Sequence, residues 1–193
     1  FLMNNNIDLN KEISFETFKM QVLEDYTLLV TSREASLLGR REVLAGKAKF
    51  GIFGDGKELP QIALAKVFQK GDFRSGYYRD QTFMMAINEL TVKQLFSGLY
   101  ANTDINEEPM SAGRQMGAHF NTPLLNTDGS WKKLIDLKNS SSDVSCTGSQ
   151  MPRLLGLAQA SKLYRNLDFK NSENFSNNGN EIAWGTIGNA STS

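Results

Sequence analysis

Glu181-Ile182-Ala183-Trp184-Gly185-Thr186-Ile187 runs directly into Gly188-Asn189-Ala190-Ser191-Thr192-Ser193. The first seven residues read as a short buried strand, and the six that follow as a turn of small and hydroxyl side chains. A strand that ends in such a turn outlines a phosphate-cradling loop at the carboxyl edge of a sheet. The fold this predicts is α/β: a mainly parallel sheet, helices on both faces, and a ligand edge at the strand carboxyl ends.

Three earlier stretches supply chemistry to such an edge. Ser140-Ser141-Ser142-Asp143-Val144-Ser145-Cys146-Thr147-Gly148-Ser149-Gln150 leads into Met151-Pro152. Pro152 suits the start of a helix to about Arg165, with Leu154, Leu155, Leu157, Ala158 and Leu163 mostly buried. A hydroxyl-rich loop entering a helix N-terminus offers hydroxyls and free N–H groups to an anion, and ordinary capping explains it equally well. Cys146 has no visible base partner and reads as a small buried side chain. Gly113-Arg114-Gln115-Met116-Gly117-Ala118-His119-Phe120 places the sole imidazole in a glycine-rich loop, where proton exchange near neutrality suits it. Asp72-Phe73-Arg74-Ser75-Gly76-Tyr77-Tyr78-Arg79-Asp80 combines two arginine forks with two phenols. It reads as one wall of an anion pocket, or as a surface loop whose arginines pair with Asp72 and Asp80.

The remainder is mostly helical. Ser14 is a fitting N-cap for a helix that ends near Gly46, with Phe15, Phe18, Val22, Leu29 and Leu37 near one face and Arg33, Glu34, Arg40 and Arg41 in solvent. Asn4-Asn5-Asn6 reads as a frayed lead-in. Gly54-Asp55-Gly56 reads as a tight loop covering a site rather than a metal motif, because Pro60 opens a helix over residues 61–69 just after it. Residues 82–87 form an apolar helical segment, and Thr91 caps another helix from Val92 to Tyr100. Residues 102–109, 121–138 and 166–180 read as loops.

The chain has 193 residues with 21 basic and 21 acidic side chains, so its formal net charge is +0. That balance argues against a nucleic-acid binder, which needs a basic face. One cysteine rules out an internal disulfide and fits a reducing compartment such as the cytoplasm. One histidine rules out a His-rich metal site. No apolar run approaches the roughly 18–20 residues that span a bilayer. Both ends read as cut, and a fragment of a longer polypeptide is expected, with residues 1–45 a helical lead-in and residues 46–193 the first part of a larger domain.

Taken in order, Gly76-Tyr77-Tyr78-Arg79-Asp80, Gly113-Arg114-Gln115-Met116-x-x-His119, Ser145 through Gln150-Met151-Pro152, and Gly188 through Ser193 resemble the α chain of the decarboxylating component of 2-oxo-acid dehydrogenase complexes. The likeness runs from about Gly46 to Ser193 and is nearest to the branched-chain type, above all its fused form with α-like and β-like halves in one chain. It implies a thiamine diphosphate-binding fold, incomplete in this fragment, and oxidative decarboxylation of branched-chain 2-oxo acids with acyl transfer to a lipoyl group. The resemblance implies that Tyr78 and Arg79 bind the cofactor diphosphate, that Ser145 approaches the cofactor, and that the backbone near Thr147 meets its aminopyrimidine. It implies that Gly188, Asn189, Ala190 and Ser191 form the first half of a magnesium-diphosphate motif, with Asn189 on Mg2+, and that His119 lines the reaction pocket. In some members a potassium ion is held by the loop matching Val144, Cys146, Ser149 and Gln150. Implied partners are a β-type region or subunit and a lipoyl-bearing acyltransferase within an oligomer, with a 2-oxo acid as substrate. Asn189 stands where the family has Asp or Glu, Ala190 replaces a common Gly, and Cys146 a common Pro. The family pattern expects a further Asn downstream of Ser193 to complete the motif. Pyruvate or acetoin dehydrogenases, transketolase-like enzymes and a scaffold domain that has lost the cofactor are the alternatives.

Overall fold

The computed structural model describes residues 12–191. The Asn4–Asn6 lead-in and the last two residues of the terminal turn lie outside them. Ser14 starts the first helix, α1 (Phe15–Leu44), its hydroxyl accepting from the Thr17 N–H at 3.2 Å. Next come α2 (Glu58–Val67), strand β1 (Phe73–Ser75), α3 (Gln81–Ala86) and α4 (Val92–Leu99). Thr91 and Gln94 close a reciprocal capping box at the start of α4. A two-residue strand β2 (Asn139–Ser140), the helix α5 (Gln150–Asn166) and strand β3 (Ala183–Gly185) complete the order.

The sheet is three-stranded, in the order β2-β1-β3, with both pairings parallel. Phe73 lies opposite Asn139 and Ala183, and Arg74 opposite Ser140 and Trp184. Side chains alternate across a strand, so this register sorts them by face. The Ser75 hydroxyl donates to the Gln150 carbonyl on α5 at 2.9 Å, while Trp184 packs against the helical layer through Phe68 (6.2 Å between centroids). That layer is the apolar core, where Phe68, Phe83, Met84, Leu95 and Phe120 are buried between α1, α2, α3 and α4.

These facts correct the expected thiamine diphosphate-binding fold. The described residues form three strands of two or three residues, a small parallel sheet with flanking helices and no signature of that fold. The physical reason is composition: the central strand is Phe-Arg-Ser, and its middle residue is a buried charge rather than a β-branched side chain. The expected strand over residues 181–187 is only Ala183–Gly185.

Two expected apolar faces also turn outward. On α1 the buried seam is Ser32, Ala35, Ser36 and Gly39, where small residues let α3 approach, and the Gln81 amide donates to the Ser36 hydroxyl at 2.7 Å. Phe15, Phe18, Val22 and Leu37 are exposed, Phe15 by 73%. On α5 only Gln150 is fully buried, and Leu155 is 72% exposed. Cys146, expected to be buried, is exposed.

Arg74 holds the sheet to its loops. Its guanidinium is 1% exposed, and all five N–H donors are engaged. Nε donates to Asp80 Oδ2 (2.9 Å), Nη1 to Ser140 Oγ (2.7 Å) and Asp143 Oδ1 (2.9 Å), and Nη2 to the Tyr77 carbonyl (3.0 Å) and Asp143 Oδ2 (3.1 Å). Gly76 is required beside it, because a Cβ there would run into the Arg74 guanidinium and the Asp80 carboxylate. Arg74→Met strands two buried carboxylates, and urea unfolding is expected to show a loss of about 3–5 kcal/mol. Asp55→Ala, which removes the exposed 2.5 Å pair with Arg40, is expected to cost no more than about 1 kcal/mol.

Candidate functional site at the carboxyl edge

Strand β1 is central, its neighbours lie on opposite sides, and every strand points the same way. The loops that leave their carboxyl ends lie along this edge, the usual place for a ligand in a parallel sheet. The loop after β1 carries Tyr77, Tyr78 and Arg79; the loop after β2 carries Val144 to Ser149; the turn after β3 is Gly188–Ser191.

The N-terminus of α5 is fastened at this edge from two strands. Beyond the Ser75 bond, the Gln150 amide donates to the Thr186 carbonyl at 2.9 Å, just past β3. The 17-residue helix thus places its positive end at the carboxyl edge.

Arg79 is half-buried and makes no ion pair with a carboxylate among the described residues. Its guanidinium carbon lies 5.3 Å from the centre of the Tyr78 ring, a cation–π placement. Its backbone is fixed from behind. The Gln61 amide donates to the Arg79 carbonyl at 2.8 Å, and Gly54 packs so closely on that carbonyl that a Cβ would collide with it. Gly54 thus lies behind Arg79, against its backbone.

The turn at Gly188–Ser191 sits on the same side as Arg79, and Tyr77 is the bridge. A side chain added at Gly188 would meet the Tyr77 ring at 3.4 Å, and Arg79 lies near enough to the Tyr77 phenol to act on its pKa. Burial and then the Asp80 carboxylate push the Tyr77 phenol above its ordinary pKa, against the opposing pull of Arg79. Tyr77 carried no expected role of its own; Gly76 before it and Asp80 after it are the signals in the sequence. At the same edge, the Tyr78 and His119 rings lie 6.3 Å apart with their planes inclined by 27°. His119 Nε2 is 3.0 Å from Ser145 Oγ.

The structure thus gathers Tyr78, Arg79, His119 and Ser145, and reaches the Gly188 turn through Tyr77. Ser191 closes that turn, its N–H donating to the Gly188 carbonyl at 2.9 Å, while Asn189 and Ala190 are exposed. Cys146, Thr147 and Ser149 lie on the exposed part of their loop, Val144 is half-buried and Gln150 is buried.

Among the described residues, no group of three or more His, Cys, Asp or Glu side chains could hold a metal ion. This overturns the expected cofactor set of thiamine diphosphate with Mg2+, and K+ in addition. Asp80 and Asp143 are both engaged with Arg74 and are not free to ligate a metal. Asn189 brings no charge to the turn. In the loop expected to hold potassium, the Cys146 carbonyl accepts from the Ser149 N–H (3.1 Å) and the Gln150 carbonyl from Ser75. The residues do not fit the group.

No protein-family model matches the chain, and no curated protein matches it. No helix among the described residues is long and apolar enough to cross a membrane.

The loop that carries His119 starts from a buried carboxylate. Glu108 accepts from the N–H groups of Met110 (3.0 Å), Ser111 (2.9 Å) and Gly113 (2.9 Å) and from the Ser111 hydroxyl (2.6 Å). Burial alone would raise its pKa, but these four donors outweigh it and hold the carboxyl below the ordinary value. A depressed folded pKa means that its stabilisation is complete above the unfolded pKa of about 4.3 and is lost as pH falls through the folded value. Hydrogen exchange at the Met110, Ser111 and Gly113 amides is expected to accelerate below about pH 4, beyond its intrinsic pH dependence. In Glu108→Gln the same amides are expected to be poorly protected at neutral pH too.

Proposed function

We propose that this chain is an α-like region of the decarboxylating component of a 2-oxo-acid dehydrogenase of the branched-chain type, working in the cytoplasm. In this reading the carboxyl-edge cluster holds the anionic end of a 2-oxo acid, a β-type region completes the site, and the acyl unit passes to a lipoyl group on an acyltransferase partner. The observation that supports it most is the convergence of Arg79, Tyr78, His119 and Ser145 at the edge where the α5 N-terminus also points.

Each residue has a physical task there. Arg79 meets the carboxylate through its planar fork, oriented by the Tyr78 face and by a backbone held at Gln61 and Gly54. His119, in reach of the Ser145 hydroxyl, takes or delivers a proton at the 2-oxo group. The positive end of α5 and the phenol of Tyr77 reinforce the anion preference. No side chain of this cluster can accept the electron pair released with carbon dioxide, so in this reading an electron-accepting group brought by the β-type region would have to take it.

A scaffold domain without catalysis is the second reading, favoured by the absence of a metal-ligating cluster among the described residues. Release of labelled carbon dioxide from carbon-1-labelled 3-methyl-2-oxobutanoate and pyruvate separates the readings, measured on the chain together with its β-type region. Faster release from the branched acid is expected. Arg79→Ala is expected to raise its KM about tenfold or more. His119→Ala is expected to lower kcat about a hundredfold. Preference for pyruvate moves the assignment to a pyruvate or acetoin enzyme, and no release from either acid leaves the scaffold.

A further inference from the structure

A second cavity opens at the other end of the strands. It has a volume of about 420 Å3, and Phe73 and Ala183, the first residues of β1 and β3, form its floor. α5 roofs it through Leu157, Ala160 and Tyr164. The carboxyl-edge cluster lies past the far end of the same strands, so the two places share no residue.

The walls have a specific chemistry. Trp131, Tyr164 and Phe175 line the cavity, with Trp131 edge-on to Phe175 (5.3 Å) and Tyr164 near parallel to it (6.5 Å). One carboxylate, Glu181, joins them. Its Oε1 accepts from the hydroxyls of Ser161 (2.9 Å) and Ser176 (2.7 Å), and its Oε2 from the Asn177 N–H at 3.2 Å. All three donors are neutral, so they orient the carboxylate without cancelling its charge. No lysine, arginine or histidine pairs with Glu181 among the described residues. Ionised Oε2 also retains acceptor capacity beyond its single N–H partner.

We propose that this cavity is a binding site for a small organic ammonium, an amine on an aromatic or branched apolar body. The volume matches a small-molecule pocket, which is mostly apolar with a few placed polar groups. Aromatic faces attract cations, and a lone carboxylate gives the ammonium its hydrogen-bond partner. A neutral apolar body of the same shape gains the walls but not the charge, and an anion is repelled by Glu181. Charge complementarity therefore selects the occupant.

The test uses the full chain, 2-phenylethylamine as probe and 2-phenylethanol as its neutral counterpart, with binding read from the Trp131 indole N–H resonance. A saturable shift with the amine, and affinity at least about tenfold weaker for the alcohol, are expected. Glu181→Gln keeps an oxygen acceptor for Ser161 and Ser176. It is expected to weaken the amine about tenfold and to leave the alcohol unchanged. Ala160→Phe fills the cavity from α5 and is expected to abolish both shifts, while the Trp184 indole, donating to Asp72 at 2.8 Å, reports an intact fold. Equal affinity for amine and alcohol, no saturable shift up to about 10 mM, or binding that survives Ala160→Phe overturns the proposal.

Discussion

One buried arginine decides how the rest is arranged. Arg74 stands in the middle of the central strand with two carboxylates against it, so the cluster of one cation and two anions carries a net negative charge. Burial alone would lower the guanidinium pKa, but Asp143 and Asp80 more than offset it and the value is raised. The surplus negative charge is met by neutral donors. The Thr186 hydroxyl and the Tyr77 N–H reach Asp80, and the Phe120 N–H reaches Asp143 at 3.0 Å. A buried ion pair gives little net stability, because desolvation cancels most of the Coulomb gain. Its effect here is positional. The same five donors reach β2, the loop after it and the turn after β1, so a shift of any of them leaves a charge without a partner.

The amino end of the sheet is pinned by the same logic with different groups. Asp72 accepts from the Ile182 N–H (2.8 Å) through one oxygen and from the Gln69 N–H (2.9 Å) and the Trp184 indole (2.8 Å) through the other. The Asn139 amide donates to the Leu134 carbonyl at 2.9 Å and to the Leu137 carbonyl at 3.1 Å. Strands of two or three residues share too few ladder bonds to set their own register, and here side chains do it at both ends. The amino end is left with an apolar cavity and one oriented carboxylate, the carboxyl end with polar loops around Arg79.

Signals that act locally were legible in the sequence. Ser14 and Thr91 cap their helices because a hydroxyl satisfies an N–H two or three residues on, whatever the tertiary fold. Pro60 falls in the first turn of α2 for an equally local reason. Periodicity pointed to buried faces correctly on α4, where Leu95 and Leu99 are in the core, and failed on α1 and α5. Phe15, Phe18 and Leu155 occupy helical positions that repeat in the expected way, yet among the described residues no element covers them. β1 was illegible as a strand, because a charged residue at its centre contradicts strand composition. Only the distant Asp143 and the nearer Asp80 make that charge tolerable.

The contrast between Arg74 and Arg79 carries the functional argument. The two lie five residues apart in one stretch, and the sequence offers both to an anion. The number of carboxylates within reach separates them: two against Arg74, with no donor left over, and none in ion-pair contact with Arg79 among the described residues. A ligand anion at Arg74 would have to displace a buried carboxylate and expose the pair's full desolvation cost. At Arg79 it meets a half-buried cation whose backbone is already held and whose fork already lies over a ring. Under the proposed function, much of the ordering that anion binding at Arg79 requires is therefore in place beforehand. Arg74 builds the edge, and Arg79 is the charge the edge presents.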